Sequence, residues 1–556
     1  MDLPDYIKNR YWKDYLPAGI TLEIDIPEDL SLGDIFQKGL EYGDRISMDF
    51  YGKEYTFIEL DSLTRRFAGA LLKLGVKKGD IVALWLPNCP HFSISYFSIL
   101  SIGATLTAIS PLFVAREMSY QIKDSGAKIL IILDRFFQQY NKVKDELPLE
   151  KVILINIEGQ TPKEPETNKI VHFNTLMDQN PEPIQSFEIK INPKEDIAVI
   201  QYNGGTTGLP KGACLSHYNI IANILQIKQI SDYMKEKYLK EDIQSISVLP
   251  WYHIYGQTCE LAVNPLIGAK GIILPTFDLG QIFEIMKKYK PNTMLGVPTM
   301  FINLLNSPLG ENVDFSCLKY VNVGAAPLPI EIAKEWERRT GFAIGEGYGL
   351  SETSPDVTTS PPWAKKKLGS CGHAVASTLV GIINEKLEFL PIGDDGELVV
   401  SGPQVMIGYH NRPEENKKVF FEAGGYKWLR TGDFARLDEE GYIFLIDRVK
   451  DLIKYKGHSV YPREIEEILY EHPAIQECAV IGVKDPIKGE DIMAHITLKN
   501  EYKGKITEQE IIDWTKENMA AYKYPRKVKF VRSLPKSAIG KILRRVLREK
   551  EVKKRK

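Results

Sequence analysis

Closely spaced cysteines are missing from this sequence. Its six, Cys89, Cys214, Cys259, Cys317, Cys371 and Cys478, stand far apart in 556 residues. No C-x-x-C pair occurs, which argues against a zinc ribbon or a disulfide framework and fits a reducing cytoplasm. An excess of charge of one sign is also missing. Lys and Arg number 71 against 73 Asp and Glu, a net of -2, so no global field recruits nucleic acid. The opening Met1-Asp-Leu-Pro-Asp-Tyr-Ile-Lys shows no charged-then-apolar export signal. Tandem repeats and low-complexity tracts are lacking too. Residues 81–115 contain no Asp, Glu, Lys or Arg, a stretch longer than the ~20 residues a membrane span needs. Pro87, Pro90, Gly103 and Pro111 interrupt it, and a helix interior tolerates proline poorly. A buried strand over 81–86 and a buried helix over about 91–102 are expected there, with no transmembrane span.

Apolar content of 44% and charged content of 26% are ordinary for a globular protein. The length suggests several lobes, at ~100–200 residues each. Strand-like runs (128–133, 151–155, 197–202, 271–274) alternate with helical patterns (62–74, 216–228, 329–339), which argues for βαβ units and parallel sheets. Ser216 is a helix N-cap candidate. From about residue 368 short strands with Gly and Asp turns take over, as at 396–402 and 441–446. A compact α+β pattern follows the charged segment 447–451: helices at 463–469 and 508–518, strands at 478–483, 492–498 and 527–531. The predicted class is α/β. A large N-terminal domain of layered α/β subdomains plus a β-rich subdomain (1–447) leads through a hinge (448–451) to a small, mobile α+β domain (452–556). The basic run 541–556 reads first as a solvated helix end, and second as a patch attracted to CoA phosphates or to an anionic membrane surface.

The most informative segment is Ile200-Gln-Tyr-Asn-Gly-Gly-Thr-Thr-Gly-Leu-Pro-Lys211-Gly212. Its glycines let backbone N–H groups turn inward around an anion. Threonine hydroxyls can donate to phosphate oxygens or bind Mg²⁺, and the lysine adds a point charge. The segment reads as a cradle for a polyphosphate, most plausibly ATP. It is not the G-x-x-x-x-G-K-[ST] loop, because Pro210 precedes Lys211 and no Ser or Thr follows it. Taken alone, such a loop is as often a plain turn.

The segment resembles the signature of the adenylate-forming superfamily, which comprises acyl-CoA synthetases, luciferases and peptide-synthetase adenylation domains. Asn203 and Gly204 stand where Thr and Ser are usual, and an Asn amide can still donate. Further segments match in the expected order: Pro250-Trp-Tyr-His-Ile-Tyr-Gly256, Val323-Gly-Ala-Ala-Pro327, Glu346-Gly-Tyr-Gly-Leu-Ser-Glu-Thr353, Tyr426-Lys-Trp-Leu-Arg-Thr-Gly-Asp433, Asp447-Arg448 and Leu534-Pro-Lys-Ser-Ala-Ile-Gly-Lys541. Each alone has a bland reading: a structural histidine, a tight turn, a surface ion pair, one more tail lysine. Their order is what carries the resemblance.

The resemblance implies an ATP-dependent, AMP-forming acyl-CoA synthetase. Its substrates are ATP, a carboxylic acid and CoA, with Mg²⁺ as cofactor. Asn203, Gly204, Gly205, Thr206, Thr207, Gly208 and Lys211 would hold the phosphates, and Glu352 with Thr206 the metal. Gly324, Ala325, Ala326, Gly347, Tyr348, Gly349 and Ser351 would face the adenine, and Asp433 and Arg448 the ribose or phosphate. His253 would steer the reacting carboxylate, with Trp251 and Tyr255 in the acyl pocket. No acid sits in that motif to pair with a substrate ammonium, which disfavours amino-acid substrates. Lys541 would bridge carboxylate and α-phosphate. After a swing about Lys450, Lys454, Lys456, Gly457 and Ser459 would line the CoA and acyl-adenylate side. Ser459 replaces a frequent Gln, and Ile539 a frequent Ser or Asn. The texture is nearest to medium- and long-chain fatty acid–CoA ligases. An aryl acid, a carrier-protein-loading adenylation enzyme and a catalytically impaired nucleotide-binding module remain alternatives. The carrier-loading reading expects an attached carrier, for which the chain to Lys556 leaves no room.

Overall fold

The computed structural model describes residues 3–187, 189–203, 209–239, 241–310, 313–364, 366–448, 451–455, 458–485, 489–537 and 540–554. Gly204, Gly205, Thr206, Thr207, Gly208, Lys450, Lys456, Gly457 and Ile539 therefore lie outside the described residues.

Among the described residues the strands build four sheets. The first has Ile81–Trp85 at its centre, parallel to Thr105–Ala108 on one side and Ile129–Leu133 on the other. Ile197–Asn203 extends it, then pairs antiparallel with Lys211–Ser216. The second sheet runs parallel through Lys270–Ile273, Gln244–Ser247, Thr293–Gly296, Tyr320–Val323 and Gly345–Gly349. The near-continuous apolar runs of the first sheet follow from burial on both faces: all five residues of Ile129–Leu133 are buried. The charge-free stretch resolves into strand Ile81–Trp85 and the helix Pro90–Ser101, buried at every position but His91. No helix among the described residues is long and apolar enough to cross a membrane.

Helix starts follow local chemistry. Ser216 caps His217–Lys237, its hydroxyl accepting from the N–H of Asn219 while the Asn219 side chain accepts from the N–H of Ser216. Thr56 with Glu59 and Thr507 with Glu510 repeat the device for Phe57–Lys73 and Glu508–Asn518. The helix after Ser216 runs well past its expected end at 228, because Ile230 and Met234 keep one face apolar.

The third, antiparallel sheet takes Leu379–Ile383, Gly396–Ser401, Phe420–Ala423, Tyr426–Leu437 and Ile443–Arg448. Its core also contains Leu3, Tyr6, Ile7 and Trp12, so the first residues of the chain pack on a region nearly four hundred positions away. The fourth sheet begins at Ile453–Tyr455 and contains the long hairpin Ile475–Asp485 with Gly489–Leu498. Its own core includes Ile465, Leu469, Val480, Ile496, Ile511 and Val528.

The basic tail departs from its expectation as a solvated end. It is helical over Arg544–Lys554, and its first turns are paired. Arg544 contacts Glu466 at 2.6 Å and both Asp447 and Asp451 at 3.4 Å, and Arg548 contacts Asp451 at 2.8 Å. The carboxylates lie on either side of residues 449–450, so the tail is tied to the segment that joins the third sheet to the fourth.

Candidate active site

Both parallel sheets aim the carboxyl ends of their strands at one cavity of about 1570 Å³, the crevice where open α/β sheets bind ligands. Asn203 ends Ile197–Asn203, Gly324 follows Tyr320–Val323, Val297 follows Thr293–Gly296, and Ser351 and Glu352 follow Gly345–Gly349. Asn203, Lys211, His253, Tyr255, Gly324, Ala325, Ala326, Gly347, Tyr348, Gly349, Ser351, Glu352, Asp433, Arg448 and Lys541 all line it.

At the polar end Asp433 is 7% exposed. It accepts from the Tyr348 hydroxyl at 2.7 Å and faces Arg448 at 3.1 Å. That carboxylate lifts the guanidinium further above its ordinary pKa, and burial beside it pushes the Tyr348 phenol well up. Glu352 takes two donors on one oxygen, the Asn203 amide at 2.7 Å and the Tyr409 hydroxyl at 2.6 Å. Asn203 thus does donate, though to a carboxylate of the site. The other Glu352 oxygen accepts no hydrogen bond from the described residues. One carboxylate oxygen fits Mg²⁺, which keeps waters and takes one or two carboxylates beside phosphate oxygens. No group of three or more His, Cys, Asp or Glu among the described residues makes a denser cation site. Lys211 pairs with Glu415 at 2.5 Å and sits over the Tyr409 ring.

Lys541 enters this cavity from the C-terminal part. A tight turn presents it: Ser537 N–H donates to Lys541 C=O at 2.7 Å, and Lys541 N–H donates to Ser537 Oγ at 3.2 Å. Gly540 holds φ +76°, and a Cβ there would meet Thr299 Oγ1 at 2.6 Å, so only glycine lets the turn close onto the large body. Loss of solvation, then the nearby Arg448 charge, lowers the Lys541 ammonium to about 8. His253 is lowered to about 4, by burial first and by Lys541 second. It is a neutral imidazole at neutral pH, which suits steering rather than carrying charge. Its Nδ1 accepts from the Tyr255 N–H at 3.3 Å. A Cβ on Gly324 would meet the Tyr255 ring at 2.9 Å, so ring and backbone wall are in close contact.

Two expectations change. Trp251 does not line the cavity. It is 1% exposed, sits edge-on to Phe92, and its indole N–H lies 3.3 Å from both Ser247 Oγ and Glu260 Oε2. The Asn88 amide fixes the turn that points it inward, accepting from Trp251 N–H at 2.8 Å and donating to Leu249 C=O at 2.8 Å. Second, acids do reach the acyl side: Glu260, just past the histidine motif, and Asp356, four residues after Glu352, both line the cavity. The motif spacing hinted at neither, since an acid next to a motif is usually a surface residue. Lys454 pairs with Ser459 in the backbone register of the hairpin of Ile453–Tyr455 and His458–Val460, and Lys454 is not in the cavity wall.

A strand ending at Asn203, a buried carboxylate on an arginine and a lysine brought from the C-terminal part meet in one cavity of a chain with a separate small C-terminal domain. The AMP-binding enzyme family matches residues 36–410, and the AMP-binding enzyme C-terminal domain matches 464–541. The chain belongs to the AMP-binding enzyme family. It is 37% identical to a long-chain-fatty-acid–CoA ligase of Bacillus subtilis (strain 168) over 97% of this chain and 98% of that one. Among solved structures it resembles ATP-bound MatB from Rhodopseudomonas palustris, with 28% identity, TM-score 0.84, and 95% of this chain and 100% of that one covered. The apo form of MatB, at the same identity and coverage, gives TM-score 0.73. The chain as a whole therefore superposes better on the ATP-bound form than on the apo form.

Proposed function

We propose that the protein activates a medium- or long-chain fatty acid with ATP as an acyl-adenylate and then transfers the acyl group to CoA. The observation that carries the reading is Lys541 sharing one cavity with Asp433, Arg448 and His253.

In the first step a carboxylate oxygen attacks the α-phosphorus and pyrophosphate leaves. Two anions must meet, so the residues have to offset repulsion. Lys541 supplies positive charge and attack geometry at that phosphorus. A lysine lowered by burial regains its proton when the anionic substrates arrive. Asp433 and Arg448 hold the ribose side, Tyr348 and the wall Gly324–Ala326 the adenine. Asn203, the residues 204–208 and Lys211 cradle the phosphates. Glu352 with Thr206 would hold Mg²⁺, which when bound neutralises pyrophosphate charge. In the second step the CoA thiolate attacks the acyl carbonyl and AMP leaves. Residues 1–447 form the adenylating domain and 452–556 the cap. The hinge at 448–451, with Lys450 in it, withdraws Lys541 and presents Lys454, Lys456, Gly457 and Ser459 to the CoA arm. Six free cysteines are in keeping with a cytoplasmic enzyme.

Beyond His253 the cavity turns apolar along Ile227, Ile230, Met234, Leu239, Val263 and Ile267, a lining that suits an alkyl chain. Pyrophosphate release over short, long and aromatic acids, with and without CoA, tests the reading. Expected is release with medium or long alkanoic acids and thioester only with CoA. No release with any acid would overturn it.

A further inference from the structure

Past Tyr255 the acyl cavity is not uniformly apolar. Cys259 and Glu260 lie in the π-helical stretch Gln257–Ala262, a local widening that is frequent at functional sites. The Cys259 thiol lies 3.7 Å from Asp356 Oδ2. Glu260 is satisfied by Ser247 Oγ at 2.7 Å, the Trp251 indole and the Leu249 N–H. Asp356 has only the weak thiol contact among the described residues.

The main chain at Asp356 is held firmly. Its N–H donates to Asn223 Oδ1 at 3.1 Å, and its C=O accepts from Asn223 Nδ2 at 3.1 Å and Gln404 Nε2 at 3.2 Å. Asn223 and Gln404 are fully buried and joined through Gln226. Buried amides of this kind are costly unless fully paired, and here they fix one carboxyl on the cavity wall. A plain methylene chain lying against it would leave the Asp356 carboxyl dry with only the thiol contact, which is unfavourable. Burial pushes Asp356 to about 7 and Glu260 to about 8. Near neutrality such carboxyls both accept and donate, as a hydroxyl partner requires.

We propose that Asp356, with Cys259 beside it, receives a hydroxyl group carried on the carbon skeleton of the acid, so that the enzyme selects hydroxy acids over their unsubstituted parents. This rests on the acid-activating reading above and narrows its substrate class. The hydroxyl sits either on an alkyl chain or on an aromatic ring, and the test separates the two.

The test is kcat/KM for pyrophosphate release with hexadecanoic acid against its monohydroxy isomers, and cinnamic acid against hydroxycinnamic acids. Expected is at least one hydroxy acid favoured over its parent by roughly tenfold or more, as a site built around a hydrogen bond discriminates. The favoured pair identifies the skeleton. The ratio falls toward one in Asp356→Val and survives in part in Asp356→Asn. Hydroxy acids no better than their parents in the native enzyme would overturn the proposal whatever the variants do. So would a ratio unchanged in Asp356→Val. Parents activated without preference sink only this station, whereas no release with any acid sinks the function as well.

Discussion

The two ends of the cavity are built differently. The nucleotide end is dense with charge and assembled from far-apart segments: Asn203 and Glu352 from the parallel sheets, Asp433 and Arg448 from the antiparallel sheet, Lys541 from the C-terminal part. Asp433 is paired with Arg448 and Tyr348, and Glu352 with Asn203 and Tyr409. The acyl end is mostly aliphatic, with two carboxyls, Glu260 and Asp356, that have no cation partner among the described residues. On the proposed function, chemistry common to every substrate falls to the first end, which constrains its residue types. Shape and selectivity belong to the second, where many side chains would serve.

Substitutions should separate the ends. Asp433→Ala leaves Arg448 and Tyr348 without their shared partner. Losing hydrogen bonds of charged groups (about 1.5–3 kcal/mol each) implies a KM for ATP higher by on the order of 10²-fold. The order of preference among acids should stay the same in steady-state kinetics; a changed acid preference with unchanged KM for ATP would break the division. Ala269→Leu, at an apolar position of the acyl wall, should do the reverse. The longest acids lose roughly tenfold in kcat/KM, shorter ones less, and KM for ATP stays put. The smallest effect concerns pH. With Lys541 lowered to about 8, the working protonated form is lost as pH rises through that value. The kcat/KM for ATP of the free enzyme should therefore fall on an alkaline limb near pH 8. The limb should move upward in Arg448→Ala, because the Arg448 charge is one cause of the lowering. A flat profile from pH 7 to 9.5 would contradict it.

Much of this was legible in the sequence where local pattern decides structure. The alternation of strands and helices, the Ser216 cap and the α+β texture after residue 451 all emerge near their expected positions, with most ends displaced by a few residues and the helix after Ser216 running on to Lys237. The residues flanking each motif also converge on one cavity, because strand ends in parallel sheets do so. What stayed illegible depends on contacts between distant segments. Cys259 and Asp356 meet from ninety-seven positions apart, and nothing in the spacing of either motif implies it. Trp251 beside His253 reads as a pocket wall until the turn held by Asn88 rotates it into the core. The basic tail reads as solvated until Asp447, Asp451 and Glu466 are seen around Arg544. The packing of Tyr6 and Trp12 on the antiparallel sheet leaves no local mark at all.

The claim that the two bodies meet around one ATP is tested most directly by separating the half-reactions of Lys541→Ala. Single-turnover formation of acyl-adenylate should fall by on the order of 10²–10³-fold, the loss typical of one electrostatic donor. Thioester formation from supplied acyl-adenylate and CoA should stay within a few-fold of the native rate. Adenylation left intact, or both half-reactions lost in equal measure, would contradict the account.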